Sequence, residues 1–331
     1  MDIDALLPPL PRGEQSRHVR PTDLSQFMRL RQCQRYLRLQ LQGHEAVNRV
    51  FRDLDLQQQP MPPLLTRSGS RFEHQVEAEL ARQFVVRDFG AERERRKSQR
   101  SDNPAVLEVL NALQPGERRL LLQPRLRIDS ADAVWTMQGD VDLLDVRRDE
   151  DGHLRVLIAD LKSSALARVE HRLQVACYAE MLDALVVGTP NAFASIDLAV
   201  LYRGEVANDA FASEAEQQKR VADRTRAREV YGLTAGCLEI TDDPQLYRTE
   251  VRALVFDRDS QADRIAEQPF SEVPWSLGWQ CDSCRYGPFC MREAAASDDL
   301  SLIPFLQPAE KSALRSCGVT TTAQLLSLIH I

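Results

Sequence analysis

Residues 153–164 read HLRVLIADLKSS, preceded at 133–146 by AVWTMQGDVDLLDV and at 118–128 by RRLLLQPRLRI. Each run alternates apolar and polar residues, the two-residue period of a strand that buries one face. DEDG at 149–152 suits a turn between the second and third strands. The period then changes: VEHRLQVACYAEMLDAL at 169–185 has helical spacing, and SIDLAVLYR at 195–203 returns to a strand. Successive strands, a helix and a further strand give an α/β order.

Outward from this centre the chain is mostly helical in pattern. In DLSQFMRLRQCQRYLRLQL (23–41), capped by Thr22 or Asp23, Leu24, Phe27, Leu30, Tyr36, Leu37 and Leu41 recur at three- and four-residue intervals and predict one helix. The first 20 residues read as a loose Pro- and Arg-rich leader. After QQQPMPPLL (57–65) a second helix begins near Ser68 to Ser70, with Phe72, Val76, Leu80 and Phe84 as its core stripe and His74 and Glu77 on another face. Residues 91–100, AERERRKSQR, are a charge run best read as a solvated face; Arg118, Arg119, Arg125 and Arg127 are candidates for a groove that takes a polyanion. Downstream, 205–245 is charged and helical, RALVF (252–256) is expected as a strand, and DSQADRIAEQ (259–268) as a helix. The tail is expected as short helices broken at Gly318.

Composition narrows the class. The 331 residues include 42 Lys plus Arg against 49 Asp plus Glu and are 43% hydrophobic, enough for about two domains with a sizeable core. That excludes a disordered, collagen-like or disulfide-dense chain. No apolar run approaches the roughly 18 residues of a membrane span, and the N-terminus lacks the order of a secretory signal, so a soluble, cytoplasmic protein without membrane contact is expected. The net charge of −7 means that any nucleic-acid contact must come from a local groove. Lys97, Lys162, Lys219 and Lys311 are the only lysines, and of these only Lys162 has an acidic residue two positions earlier.

Side chains two apart on a strand share a face, which pairs Asp140 with Asp142 and Asp160 with Lys162. If the two strands are antiparallel neighbours, Asp142, Asp160 and Lys162 converge. Two carboxylates there suit Mg²⁺ or Mn²⁺, hard cations that take oxygen ligands and keep positions open for water and a phosphate oxygen. A lysine beside them can orient a nucleophilic water or offset charge developing on the phosphate. An isolated Asp-x-Lys is more often a surface ion pair. Here, however, VLIADLK puts Asp160 at the end of an apolar strand, where an unused charge is costly. His74 lies on the preceding helix, and Gln174 and Tyr178, four apart, share one face of the following helix.

In this order the residues resemble the PD-(D/E)XK nucleases, and within them the RecB-like branch: Gly69 and His74 in GSRFEH, Gly139 and Asp142 in GDVD, Asp160 and Lys162 in DLK, and Gln174 and Tyr178 in QVACY. The resemblance spans about residues 20 to 295. It implies a restriction-endonuclease-like α/β fold, a mixed central sheet flanked by helices. It also implies that His74, Asp142, Asp160 and the main-chain carbonyl of Leu161 bind the metal, that Lys162 acts at the water, and that Gln174 and Tyr178 place the DNA strand. Glu77 and Asp140 are weaker ligand candidates.

Cys281, Cys284 and Cys290 form C-x2-C-x5-C in QCDSCRYGPFC, with Cys33 far upstream and Cys317 behind it as a fourth ligand. By spacing alone zinc is the favourite. Cys177 and Cys237 read as small buried side chains. The resemblance reverses the metal choice, because AddB-type and CRISPR-associated exonucleases of this branch bracket the nuclease with one cysteine before and three after, holding a [4Fe–4S] cluster. It implies a cluster on Cys33, Cys281, Cys284 and Cys290 that staples a helical periphery.

The expected organisation is an N-terminal helical segment at 1–62, the nuclease core at 63–270, the Cys-rich segment at 271–296 and a tail resembling half of a helix-hairpin-helix at 297–331, in a chain that reads as a fragment of something longer. The resemblance further implies a metal-dependent deoxyribonuclease acting on single-stranded DNA ends as an exonuclease, in repair, recombination or defence, with a helicase, recombination or CRISPR partner. Two alternatives stand beside it: a non-catalytic DNA-binding or scaffold subunit, and a zinc-bearing version of the same nuclease.

Overall fold

The computed structural model describes residues 3–12, 17–60, 63–97, 100–130, 134–204 and 213–329; Met61, Pro62, residues 205–212 of the charged stretch and the last two residues of the tail lie outside them. The strands are β1 (Arg17–Val19), β2 (Val86–Asp88), β3 (Arg118–Leu122), β4 (Arg125–Asp129), β5 (Trp135–Asp140), β6 (Leu143–Arg148), β7 (Leu154–Lys162), β8 (Phe193–Tyr202) and β9 (Cys237–Ile240). They form a three-stranded sheet in the order β1-β5-β4 and a six-stranded sheet in the order β2-β3-β6-β7-β8-β9. The larger sheet is mixed: β2/β3 and β7/β8 are parallel, while β3/β6, β6/β7 and β8/β9 are antiparallel.

β7 is near-continuously apolar because it has a strand on either side and a helix toward each face, so both of its faces are buried. The Val169–Val186 helix makes the crossover that a parallel β7/β8 pair requires. One core is built from Phe72, Val76 and Leu80 of the Pro63–Gln83 helix against Leu120, Leu122, Leu143, Ala159, Leu161 and Leu201 of the sheet, joined by Ala227 and Tyr231 of the Glu214–Tyr231 helix. Phe84 packs partly buried against it, completing the four-residue stripe. Alternation then turns Asp160 to the opposite face, where the Val169–Val186 helix lies.

The chain divides into two compact units: residues 18–25 and 63–260 in one, and 1–17, 26–62 and 261–331 in the other. The first holds the six-stranded sheet. The second is helical, built on Gln34–Leu41, His44–Asp53, Gly287–Ala296, Pro308–Ser316 and Thr322–Ile329. In it Arg35 is sealed from solvent, its guanidinium 4.1 Å from the Trp275 ring and 4.9 Å from that of Phe270, and paired with Glu293 at 2.7 Å. Gly318, at φ +83°, breaks the last two helices as expected. No helix among the described residues is long and apolar enough to cross a membrane.

Several expectations are corrected. The 118–128 run is two strands in different sheets, because Gln123 takes φ +51° and Pro124 cannot donate to a ladder. The 133–146 run is likewise divided between β5 and β6. Residues 23–41 form two helices, Pro21–Arg29 and Gln34–Leu41, separated by left-handed Arg31 and Gln32. RALVF is not a strand; it is a π-helical continuation of Pro244–Val251, with Val251, Leu254 and Val255 buried at helical spacing. β2 and β9 belong to the large sheet although neither was read from the sequence, and β1 lies in the presumed leader.

Candidate functional site

The antiparallel register of β6 and β7 sets Leu143 opposite Ala159, so one step further Asp142 and Asp160 face each other where the ladder ends. Asp142 Oδ2 accepts the backbone N–H of Leu161 at 2.7 Å, which fixes its carboxylate to β7. Asp160 is 1% exposed. Its Oδ1 accepts from Gln174 Nε2 at 2.9 Å. Its buried Oδ2 lies 2.7 Å from Lys162 Nζ and, among the described residues, has that ion pair in place of a well-aligned hydrogen bond.

The following helix reaches the site from the side. Gln174 and Tyr178 are 4% and 2% exposed, and Tyr178 OH donates to the main-chain carbonyl of Asp140 at 2.7 Å. Gly139 makes this contact accessible: a Cβ there would stand 2.9 Å from both Tyr178 Cε1 and Pro21 Cδ. The Gly-x-x-Asp spacing therefore has a packing reason as well as a chemical one.

Electrostatically the pocket is a strained balance. Burial raises the Asp160 carboxyl well above the ordinary carboxylate range; Lys162 opposes this and Asp142 adds to it. Burial works against the Lys162 charge too, but Asp160 and Asp142 outweigh it and hold the ammonium protonated. From the Pro63–Gln83 helix, the Glu73 carboxyl is raised by burial and by Asp142, with Lys162 opposing, and Glu77 is raised by burial while accepting from Gln123 Nε2 at 2.9 Å. His74 is exposed on this helix. Glu73, which belongs to none of the four sequence motifs, is thus within electrostatic reach of both Asp142 and Lys162. A signal existed: Glu73 and Glu77 are like charges four apart on one helix, an unfavourable pair unless something positive faces them.

Asp140 does not share a strand face with Asp142. It ends β5 in the other sheet, where Arg125 clasps it through two bonds of 2.6 and 2.8 Å and Arg93 stands 3.4 Å away. Two arginines already meet its charge there. Arg93, from the supposedly solvated charge run, is buried and donates to Asp102 and, at 2.6 Å, to the Gln123 carbonyl. The four groove arginines are ion-paired: Arg118 with Asp145 at 2.7 Å, Arg119 with Glu117 at 3.3 Å, Arg125 with Asp140 at 2.6 Å and Arg127 with Asp129 at 4.0 Å.

Among the described residues, the only three metal-type ligand atoms within 4.8 Å of one another belong to Asp149, Asp151 and His153. These sit on the β6–β7 turn, at the far end of the hairpin from Asp142 and Asp160 and about 20 Å away by strand rise. Exposed carboxylates in a turn need no ion to explain them. His74, Asp142 and Asp160 are not drawn that close together.

In the helical unit, Cys33, Cys281, Cys284 and Cys290 are brought together. Burial pushes all four thiols up, Cys284 to about 11; neighbouring cysteines add to it at Cys33, Cys284 and Cys290, and Asp282 does so at Cys281. No three of the sulfurs lie within 4.8 Å of one another. Cys177 and Cys237 are buried elsewhere and Cys317 is exposed.

Compared with protein-family models, residues 25–291 match the one described as the PD-(D/E)XK nuclease superfamily. No curated protein matches the sequence. Among solved structures, the one titled "Crystal structure of SSO0001" is similar at 12% identity and a TM-score of 0.26, covering 82% of this chain and 85% of that one.

Proposed function

The chain belongs to the PD-(D/E)XK nuclease superfamily, and from that premise we propose that it is a metal-dependent nuclease whose centre is the Asp142, Asp160 and Lys162 cluster. One observation carries the assignment: a fully buried Asp160 at the end of the central strand, facing Asp142, with one carboxylate oxygen 2.7 Å from Lys162 in an ion pair that, among the described residues, stands in place of a well-aligned hydrogen bond. Surplus negative charge in a closed site, offset by a single ammonium, is what a divalent cation relieves. Asp142, Asp160 and the Leu161 carbonyl are the groups to hold it, and we add Glu73 from the helix, beside His74, as the residue whose carboxylate already feels Asp142. When bound, Mg²⁺ or Mn²⁺ supplies a polarised phosphodiester and an acidified water.

The protein's own groups do the rest. Lys162, kept protonated by two carboxylates, offsets charge growing on the phosphate. Gln174 fixes the rotamer of Asp160, and Tyr178 fixes the backbone just ahead of Asp142. The burial of both supports a role in orienting carboxylates in place of the DNA contact that the resemblance implies. Single-strand exonuclease action of the RecB-like kind is the finer reading, supported by the order of the four sequence motifs.

For the four cysteines we propose a [4Fe–4S] cluster, supported by the sequence order of one cysteine before the core and three after it and by their gathering in the helical unit. Anaerobically purified protein is then brown with about four iron atoms per chain; a colourless preparation with one zinc would overturn it.

The decisive assay offers labelled single- and double-stranded DNA to the protein with Mg²⁺ or Mn²⁺. Asp160→Ala and Lys162→Ala are each expected to slow cleavage by about a hundredfold or more while the protein stays folded. Undiminished cleavage by both variants rules the mechanism out.

A further inference from the structure

The Val169–Val186 helix presents a third polar residue on the face that serves the site. His171, Gln174 and Tyr178 stand at i, i+3 and i+7 and so lie along one stripe. Gln174 reaches Asp160 and Tyr178 reaches the Asp140 carbonyl, so the stripe is turned to the catalytic cluster. His171 occupies its N-terminal end, just after the chain has left Lys162. It is 9% exposed. Its Nδ1 accepts the backbone N–H of Arg168 at 3.2 Å. A neutral imidazole that accepts at Nδ1 must carry its proton on Nε2. That Nε2 has no hydrogen-bond partner among the described residues, yet it is not among the buried atoms closed off from solvent.

The ring is also held neutral. Burial above all, with the charges of Lys162, Arg168 and Arg172 and against that of Glu239, lowers its pKa to about 3. Lys162 is thus near enough for its charge to be felt. A helix cap would be served by any acceptor at this position, and Glu or Gln is the usual choice. Imidazole offers the same acceptor and adds a donor on the far side of the ring, directed away from the cap.

Building on the nuclease reading, we infer that His171 is a further substrate-binding residue, its Nε2–H donating to a non-bridging phosphate oxygen of the nucleic-acid strand beside Lys162. The chemistry favours a neutral donor. A second cation would compete with the divalent ion for the carboxylates, whereas an uncharged N–H gains from the phosphate charge without disturbing them.

Two substitutions separate this role from capping. In His171→Asn the amide oxygen replaces Nδ1 and nothing replaces Nε2; in His171→Gln the terminal amide stands near Nε2 and the cap acceptor is displaced. Affinity is read by fluorescence anisotropy of a labelled single-stranded oligonucleotide in EDTA, which prevents cleavage, and fold integrity by Tm. The expected pattern is crossed. His171→Asn keeps the wild-type Tm and binds about tenfold more weakly, the order of one hydrogen bond to a charged group. His171→Gln melts lower and keeps most of the affinity. Affinity that follows Tm through both variants, or that changes in neither, overturns the assignment. Wild-type protein that neither binds nor cleaves DNA overturns the nuclease reading, and this one with it.

Discussion

Gly139 shows how much a missing side chain can decide. A methyl group there would stand 2.9 Å from both Tyr178 and Pro21, closer than packed carbons tolerate. Gly139→Ala is expected to cost about 1–3 kcal/mol by overpacking and to push Tyr178 off the Asp140 carbonyl, so that cleavage falls along with Tm. Wild-type Tm and activity in this variant would remove the packing reason given for the glycine. His171 supports a second test at this scale. Its pKa is depressed to about 3 in the folded protein, so between that value and its ordinary 6.5 the unfolded chain binds the extra proton. Stability contributed by the neutral ring is therefore complete above pH 6.5 and is lost as pH falls toward 3. At pH 5 the loss is about 2 kcal/mol. Moving from pH 7 to pH 5 should lower the Tm of wild-type protein more than that of His171→Asn; equal drops refute the buried neutral state.

At the scale of elements, what could be read from the sequence depended on length. The Pro63–Gln83 helix announced itself through Phe72, Val76, Leu80 and Phe84, and β7 through nine residues ending in the Asp-x-Lys pair. β2 and β9, of three and four residues, are too short to display a period, and their place is decided by pairing with β3 and β8. RALVF failed for a different reason: β-branched and aromatic content favours a strand, yet its buried residues continue a helical face from Val251. The site divides in the same way. Asp160, Lys162 and Gln174 were legible because they lie on a long strand and a long helix, and Asp142 because it sits just ahead of the strand paired with β7. The capture of Asp140 by Arg125 was not, because it depends on β4 and β5 leaving the large sheet for another. The core stripe carries a direct prediction. Leu80→Ala is expected to destabilise by about 2–5 kcal/mol, while Gln75→Ala, on the exposed side of the same helix, stays within about 0.5 kcal/mol. Comparable losses in urea titration would mean that the helix does not bury the face assigned to it.

At the scale of the whole chain, the order of the pieces raises the question the cysteines answer. The helical unit is assembled from segments on either side of residues 63–260, so its N-terminal helices must find partners that arrive some 200 residues later. The proposed cluster would tie Cys33 to Cys281, Cys284 and Cys290 once those segments have met. By chain-entropy reckoning, closing a loop of about 250 residues stabilises by roughly 5 kcal/mol, near the top of the range for any cross-link. The setting is consistent with that role. Arg35, two residues from Cys33, is wedged between Trp275 and Phe270 and paired with Glu293, three residues beyond Cys290. The first cysteine is thus anchored to the later segment by packing before any metal joins them. Four thiols gathered in one unit, each kept neutral by burial, are a donor set that a metal would bind as thiolates. The expected outcome is selective. Cys33→Ser loses iron, melts several degrees lower and becomes sensitive to proteolysis in residues 26–62, whereas Cys317→Ser, altering an exposed thiol, keeps both iron and Tm. If Cys33→Ser retained full iron and stability, the tie would have to run through other residues, and the two ends of this unit would be joined by packing and by polar contacts such as Arg35–Glu293 and Tyr286–Gln40.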